Sequence, residues 1–215
     1  MNAWRPWGVC CALLCTLGLA SAVALAHEGE HDGAAPAVMT PPPPPPNSGT
    51  RDARTYFTDT RLLDQDGRSL RFYSDVLKDQ VVLLNVVFTH CNDACPLITR
   101  KLREVREALG PEQADKVLFV SLTSDPLNDT PEVLKAFTQK HGVAGQRWLF
   151  LTGTPQDMAL VLGRLGHLVQ SPEQHSTLLI AGDVANKRWS KIRPDAPANA
   201  IAQRLQLLAM PLAGR

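Results

Sequence analysis

The eight residues Val81-Val82-Leu83-Leu84-Asn85-Val86-Val87-Phe88 constrain this chain more than any other stretch. Almost every position is β-branched or apolar, so a strand built from them must be covered on both faces. Such a strand belongs in the middle of a sheet with helices on either side. The residues that follow agree. Ile98, Leu102, Val105 and Leu109 recur at helical spacing, and Val117 to Leu122 reads as a second buried strand. Thr130-Pro131 couples a capping residue to proline at the first helical position, and Val133, Leu134, Phe137 and His141 continue that helix. Trp148 to Leu151 is a third strand. Thr154-Pro155 caps another helix with Met158, Val161, Leu162 and Leu165 on its apolar face. Thr177 to Ile180 is a fourth strand, and Arg188 to Ile192 pairs with it as a hairpin. Ile201, Leu205 and Leu208 give a C-terminal helix. Upstream, Leu62-Leu63 and Leu70-Arg71-Phe72 flank the turn signal Asp66-Gly67. The expected class is α/β, a mixed central sheet flanked by helices, with an N-terminal hairpin.

The N-terminus has the anatomy of an export signal. Arg5 is followed by an apolar, uncharged run from Val9 to Ala26, and Ala24-Leu25-Ala26 fits a small-x-small cleavage site. Residues 1–26 are expected to be a signal peptide or, because the run approaches the length of a bilayer span, a membrane anchor through residues 9–26. Lipidation at Cys15 is disfavoured, since Ala12-Leu13-Leu14 lacks a small residue just before it. In either case the rest of the chain leaves the cytoplasm. Residues 27–55 read as a disordered Pro-rich linker. Pro41 to Pro46 is a polyproline run of about 19 Å that acts as a spacer. His27 and His31 belong to a solvated polar leader. The folded domain is expected over 56–212.

Charge excludes one class of partner. Residues 1–26 contain Arg5 and no acid, so the remainder carries 21 basic and 21 acidic residues. A neutral chain without a dense Lys/Arg run has no bulk electrostatic reason to bind nucleic acid.

Export also simplifies the thiols. Of five cysteines, Cys10, Cys11 and Cys15 lie in the export segment, and only Cys91 and Cys95 remain in the domain. A Cys91–Cys95 disulfide closes a very small loop and makes a poor staple, so the pair reads as chemical rather than structural. It sits in Phe88-Thr89-His90-Cys91-Asn92-Asp93-Ala94-Cys95-Pro96, where the most buried strand ends and a helix begins. Open α/β sheets place their sites at this carboxyl edge. Cys95, near the helix start, is expected to be the thiol that the helix dipole favours as thiolate. Two thiolates serve either disulfide exchange or a soft metal such as Cu(I) or zinc. Structural zinc wants four protein ligands, so a lower-coordinate Cu(I) site with one imidazole fits the inventory better. His90 adjoins Cys91 but points to the opposite face of an extended chain, which suits a supporting role. His141 and His167 read as surface residues. His175, in the loop ahead of the fourth strand, reads on its own as solvated.

Taken together these residues resemble the Sco/SenC family of thioredoxin-like copper chaperones for cytochrome c oxidase assembly. The resemblance runs from about Tyr56 to Met210 and is carried first by F-T-H-C-x-x-x-C-P at Phe88 to Pro96. Ser124-Asp125-Pro126 with Asp129-Thr130-Pro131-Glu132, Trp148 to Gly153, and His175-Ser176 support it. The chain differs from the family pattern at Asn92, where proline is frequent, and at Gln174, where an acid is common. The resemblance implies a thioredoxin-like fold, Cu(I) and Cu(II) binding by Cys91, Cys95 and His175, and Asp125 as an acidic residue just outside the ligand set. It also implies a redox-active Cys91–Cys95 pair, and partners among cytochrome c oxidase subunit II and other copper-handling proteins. The setting would be the bacterial periplasm or the periplasmic face of the inner membrane. Two activities stay open, copper delivery and reduction of the oxidase copper-site cysteines. The thioredoxin-type proline ahead of the fourth strand is absent, since Ser176-Thr177 stands there, and the domain beyond the export segment has no third thiol for a peroxidase cycle.

Overall fold

The computed structural model describes residues 53–91, 94–167, 171–174 and 176–211. The export segment and residues 27–52 of the linker fall outside them. Every described residue belongs to one unit, Pro45–Arg215. Among the described residues no helix is long and apolar enough to cross a membrane.

Helix α1 (Ala53–Phe57) leads into a hairpin of β1 (Arg61–Asp64) and β2 (Ser69–Arg71). Gly67 takes the turn at a φ of 76°, a backbone conformation that glycine adopts without strain. A π-helical segment, Phe72–Leu77, returns the chain to β3 (Val81–Val87). Then come α2 (Ala94–Ala114), β4 (Val117–Thr123), α3 (Pro131–Lys140), β5 (Trp148–Thr152) and α4 (Pro155–Leu165). The hairpin of β6 (Leu179–Asp183) and β7 (Arg188–Ile192) and helix α5 (Ala198–Ala209) close the domain. Thr130 and Thr154 cap α3 and α4 as expected, each accepting a backbone N–H three residues on. Helix α2 is interrupted at Gly110, where a φ of 71° precedes Pro111.

The sheet has seven strands in the order β2-β1-β5-β4-β3-β6-β7. Strands β3, β4 and β5 run parallel, and β1 and β6 add antiparallel to either side of them. The register sets Val87 across from Thr123, so the two central strands end together. Side chains of β3 alternate between two cores. Leu83 and Val87 pack with α2, α3 and α5, and Val82, Leu84 and Val86 pack with α1, the π-helical segment and α4. Each such fully buried side chain contributes about 1.5–3 kcal/mol.

Helix α1 begins at Ala53, ahead of Tyr56, and Ala53 and Phe57 pack on the β1–α4 side of the core. Three expectations shift. The fourth strand begins at Leu179, after Leu178 N–H has been taken by the Ser176 hydroxyl. The π-helical segment is not among the expected elements: Phe72, grouped in sequence with Leu70 and Arg71 as the far side of the hairpin, opens this segment instead. His167 is buried rather than on the surface, its backbone N–H donating to the Leu162 carbonyl at the end of α4.

A polar relay crosses the parallel strands inside the core. Trp148 Nε1 donates to the Ser121 hydroxyl at 2.9 Å, and that hydroxyl donates to Asn85 Oδ1 at 2.7 Å. All three side chains are buried. Ser121→Ala leaves a buried donor and acceptor unmet and should cost about 2 kcal/mol, read as a lower urea midpoint at unchanged slope. A loss under about 0.5 kcal/mol would show that the relay does not support the sheet.

Candidate functional site

The cysteine turn grows directly from the end of β3. Phe88 is still buried, Thr89 is half-buried, and His90 is exposed. Cys91 N–H donates to the Phe88 carbonyl at 3.3 Å, which turns the chain toward α2. Asn92 and Asp93 lie outside the described residues. Helix α2 starts at Ala94, with Cys95 and Pro96 in its first turn. Proline is tolerated here because first-turn N–H groups have no partner within the helix.

The two sulfurs are unequal. Both are thiols, Cys91 half-buried and Cys95 buried at 1% exposure. The Cys95 backbone N–H donates to Cys91 Sγ at 3.2 Å. The donor at the helix start is therefore aimed at Cys91, not at the Cys95 sulfur. Burial pushes the Cys95 thiol up to about 12, a hydrogen bond with the Phe88 backbone pulls the other way, and Cys91 and Asp129 add to the rise. The expectation that the helix start would favour a Cys95 thiolate is corrected: desolvation outweighs the dipole at this depth.

Asp129, missed in the sequence, organises the turn. Its fully buried carboxylate accepts the Thr89 N–H at 3.2 Å, the Thr89 hydroxyl, and the Thr123 hydroxyl. It thus ties the turn after β3 to the end of β4. Asp125, the expected acidic neighbour, is turned to its own loop and accepts the Asn128 side-chain amide at 2.9 and 3.0 Å. The one signal for Asp129 was its place in Asp129-Thr130-Pro131, one residue before a helix cap.

His175 lies outside the described residues. Its described neighbours border the same edge: the Pro172 carbonyl accepts the Ser124 hydroxyl at 3.4 Å, and Ser124 N–H donates to the Val87 carbonyl at 2.9 Å. The structure therefore brings together Cys91, Cys95 and Asp129, leaves His90 exposed, and keeps Asp125 within its own turn. Among the described residues no cluster of three His, Cys, Asp or Glu side chains is ready to hold a metal. A thiol pair at the mouth of a sheet, with one partner accessible, suits a soft ion or disulfide exchange.

A family model described as SCO1/SenC matches residues 48–208. The chain belongs to the SCO1/SenC family. It is 36% identical over 93 residues to a SCO1 protein homolog of Bacillus subtilis, covering 43% of this chain and 47% of the relative. The chain thus matches less than half the length of that relative. Among solved structures it resembles a SCO1/SenC family lipoprotein of Bacillus anthracis, with a TM-score of 0.61 and 30% identity over 70% of this chain and 92% of that one. It also resembles Bradyrhizobium japonicum ScoI, a structure with copper bound, with a TM-score of 0.58 and 25% identity over 69% and 96% of the two chains. The SCO1/SenC fold is the thioredoxin-like architecture expected from the sequence.

Three outcomes follow from the site. In reduced protein Cys91 should be alkylated by iodoacetamide at least about tenfold faster than Cys95, compared through Cys95→Ser and Cys91→Ser; equal rates would contradict the burial difference. The Cys95 value lies above its ordinary 9.0, so its contribution to stability is full below pH 9 and is lost as pH rises toward about 12. Asp129→Ala should cost about 3 kcal/mol in urea denaturation and speed hydrogen exchange at Thr89 N–H. Wild-type exchange at Thr89 would remove Asp129 from its place under the turn.

Proposed function

We propose that this chain is an exported copper-binding protein that delivers copper to the binuclear copper centre of cytochrome c oxidase subunit II during assembly. The observation that carries this reading is the accessible Cys91 beside the buried Cys95 at the start of α2, in a SCO1/SenC chain. Thiolates are soft donors that suit Cu(I). The copper-bound ScoI of Bradyrhizobium japonicum supports copper as the metal. His175 supplies the third donor, an imidazole that also accepts Cu(II).

In this reading copper is cargo. The reduced pair takes the ion as thiolates, His175 completes the ligand set, and the ion leaves by ligand exchange at the open edge of the sheet. Oxidation to the Cys91–Cys95 disulfide removes both thiolates, so redox state gates affinity. Export through residues 1–26, cleaved or retained as an anchor, puts the domain in the bacterial periplasm or on the periplasmic face of the inner membrane.

The inequality of the sulfurs also favours a second reading, reduction of the oxidase copper-site cysteines. Cys91 thiolate attacks the target disulfide and forms a mixed disulfide. Cys95 thiolate then attacks the Cys91 sulfur, which releases the target as a dithiol and leaves the Cys91–Cys95 disulfide. A proton is lost from each attacking thiol and gained by each released one.

Anaerobic titration of the reduced protein with Cu(I) separates these readings. Wild type should bind a single Cu(I). Cys91→Ser, Cys95→Ser and His175→Ala should each weaken it by at least about 100-fold, the upper end of the loss when even an outer partner of a metal ligand is removed. The affinity should climb about tenfold per pH unit for the Cys95 proton alone, since that thiol stays protonated up to about 12. Unchanged affinity in all three variants would sink the copper site. Disulfide reductase activity that survives His175→Ala would shift the assignment to the second reading.

A further inference from the structure

Two cavities adjoin on the outer face of α2. One, of about 440 Å³, runs from Pro96 past Arg100 to Lys140. The other, of about 450 Å³, lies between Arg103, Arg106, Glu107 and Gln146. Arg103 and Gly142 wall both, so the two form one groove. Its near end is Pro96, the residue after Cys95.

The groove concentrates positive charge in a chain whose formal net charge is only +1. Arg100, Arg103, Arg106 and Lys140 line it, and Glu107 is the one carboxylate among its described lining residues. Glu107 Oε1 stands 3.6 Å from Arg103 Nε, too far for a hydrogen bond. Arg106 is held against the Phe119 ring, 5.5 Å from its centroid. Burial lowers its pKa, Asp115 offsets part of that, and the Arg147 cation adds to the lowering. A negative group in the groove would relieve this crowding of cations.

Two buried polar atoms here have no hydrogen-bond partner, Arg103 Nε and Gln146 Oε1. The Gln146 amide nitrogen is already used, donating to the Gly142 carbonyl at 3.3 Å. Both atoms lie beneath the surface, so what the groove offers a partner is its row of cations, spaced along the helix for a chain of carboxylates rather than for a single small anion.

We propose that this groove seats an extended acidic segment of a partner protein, its carboxylates on Arg100, Arg103, Arg106 and Lys140. The ridge from Pro96 to Leu109 is about 20 Å long, enough for about six extended residues. A segment lying there brings its own protein up to the cysteine turn. The proposal goes beyond the copper reading and does not depend on it.

Fluorescence anisotropy with a labelled hexaglutamate peptide at low ionic strength tests it, with hexaglutamine as the neutral control. Wild type should bind hexaglutamate and not hexaglutamine, more weakly as salt is added. Arg103→Gln and Arg100→Gln should each weaken binding several-fold, and together by about tenfold. Lys191→Gln, on the edge strand β7, should change nothing. Unfolding midpoint and Cu(I) stoichiometry should stay at wild-type values in all these variants, which separates loss of the groove from loss of the fold or of the copper site. Equal weakening by Lys191→Gln, or displacement by inorganic phosphate at the same concentration as hexaglutamate, would overturn the proposal.

Discussion

The buried carboxylate of Asp129 holds the end of β3 to the end of β4, and the cysteine turn rests on that tie. A carboxylate with no exposure is costly unless its oxygens are filled. Among the described residues no cation fills them. Thr89 gives its backbone N–H and its hydroxyl, and Thr123 gives its hydroxyl. Thr123 is the residue opposite Val87 in the parallel register, so the tie forms only when β3 and β4 are in step. A slip by one residue would turn Thr123 to the other face and leave the charge uncovered. The carboxylate thus checks the register at the place where the site is built, and the polar relay through Asn85, Ser121 and Trp148 checks it again deeper in the same strands.

The layered fold was legible because its signals are local. Buried strands show as unbroken apolar runs, and Thr130-Pro131 and Thr154-Pro155 announce their helices within two residues. The thiol pair was legible for the same reason. What escaped depends on distance in sequence. Asp129 meets Thr89 forty positions away, a contact set by strand register rather than by a motif. The family motif drew notice to Asp125, which serves its own turn through Asn128. Cys95 was read from its place at a helix start, but depth below the surface is a tertiary property and decides its proton affinity. His167 was lost in the same way, since a residue just after a helix looks exposed in the sequence while its burial is set by the tertiary fold.

The parallel arrangement also explains why chemistry collects at one edge. Strands β3 and β4 both end there, followed by the turn at Thr89 and the loop at Ser124. Pro172, ahead of the final hairpin, is fastened to that loop through Ser124. Three stretches far apart in sequence therefore open onto one rim, while the opposite rim carries the returns from the helices. The basic groove along α2 begins at this same rim, so one helix presents reactive sulfur at its first turn and charge along its length.

Cys91 has a second occupation besides its reactivity. Its sulfur fills one of the amides that the start of α2 leaves over, the N–H of Cys95. Whatever bonds to Cys91 therefore bonds to an atom that also terminates the first turn of a long helix, so the sulfur that meets a partner and the start of α2 share one position in space.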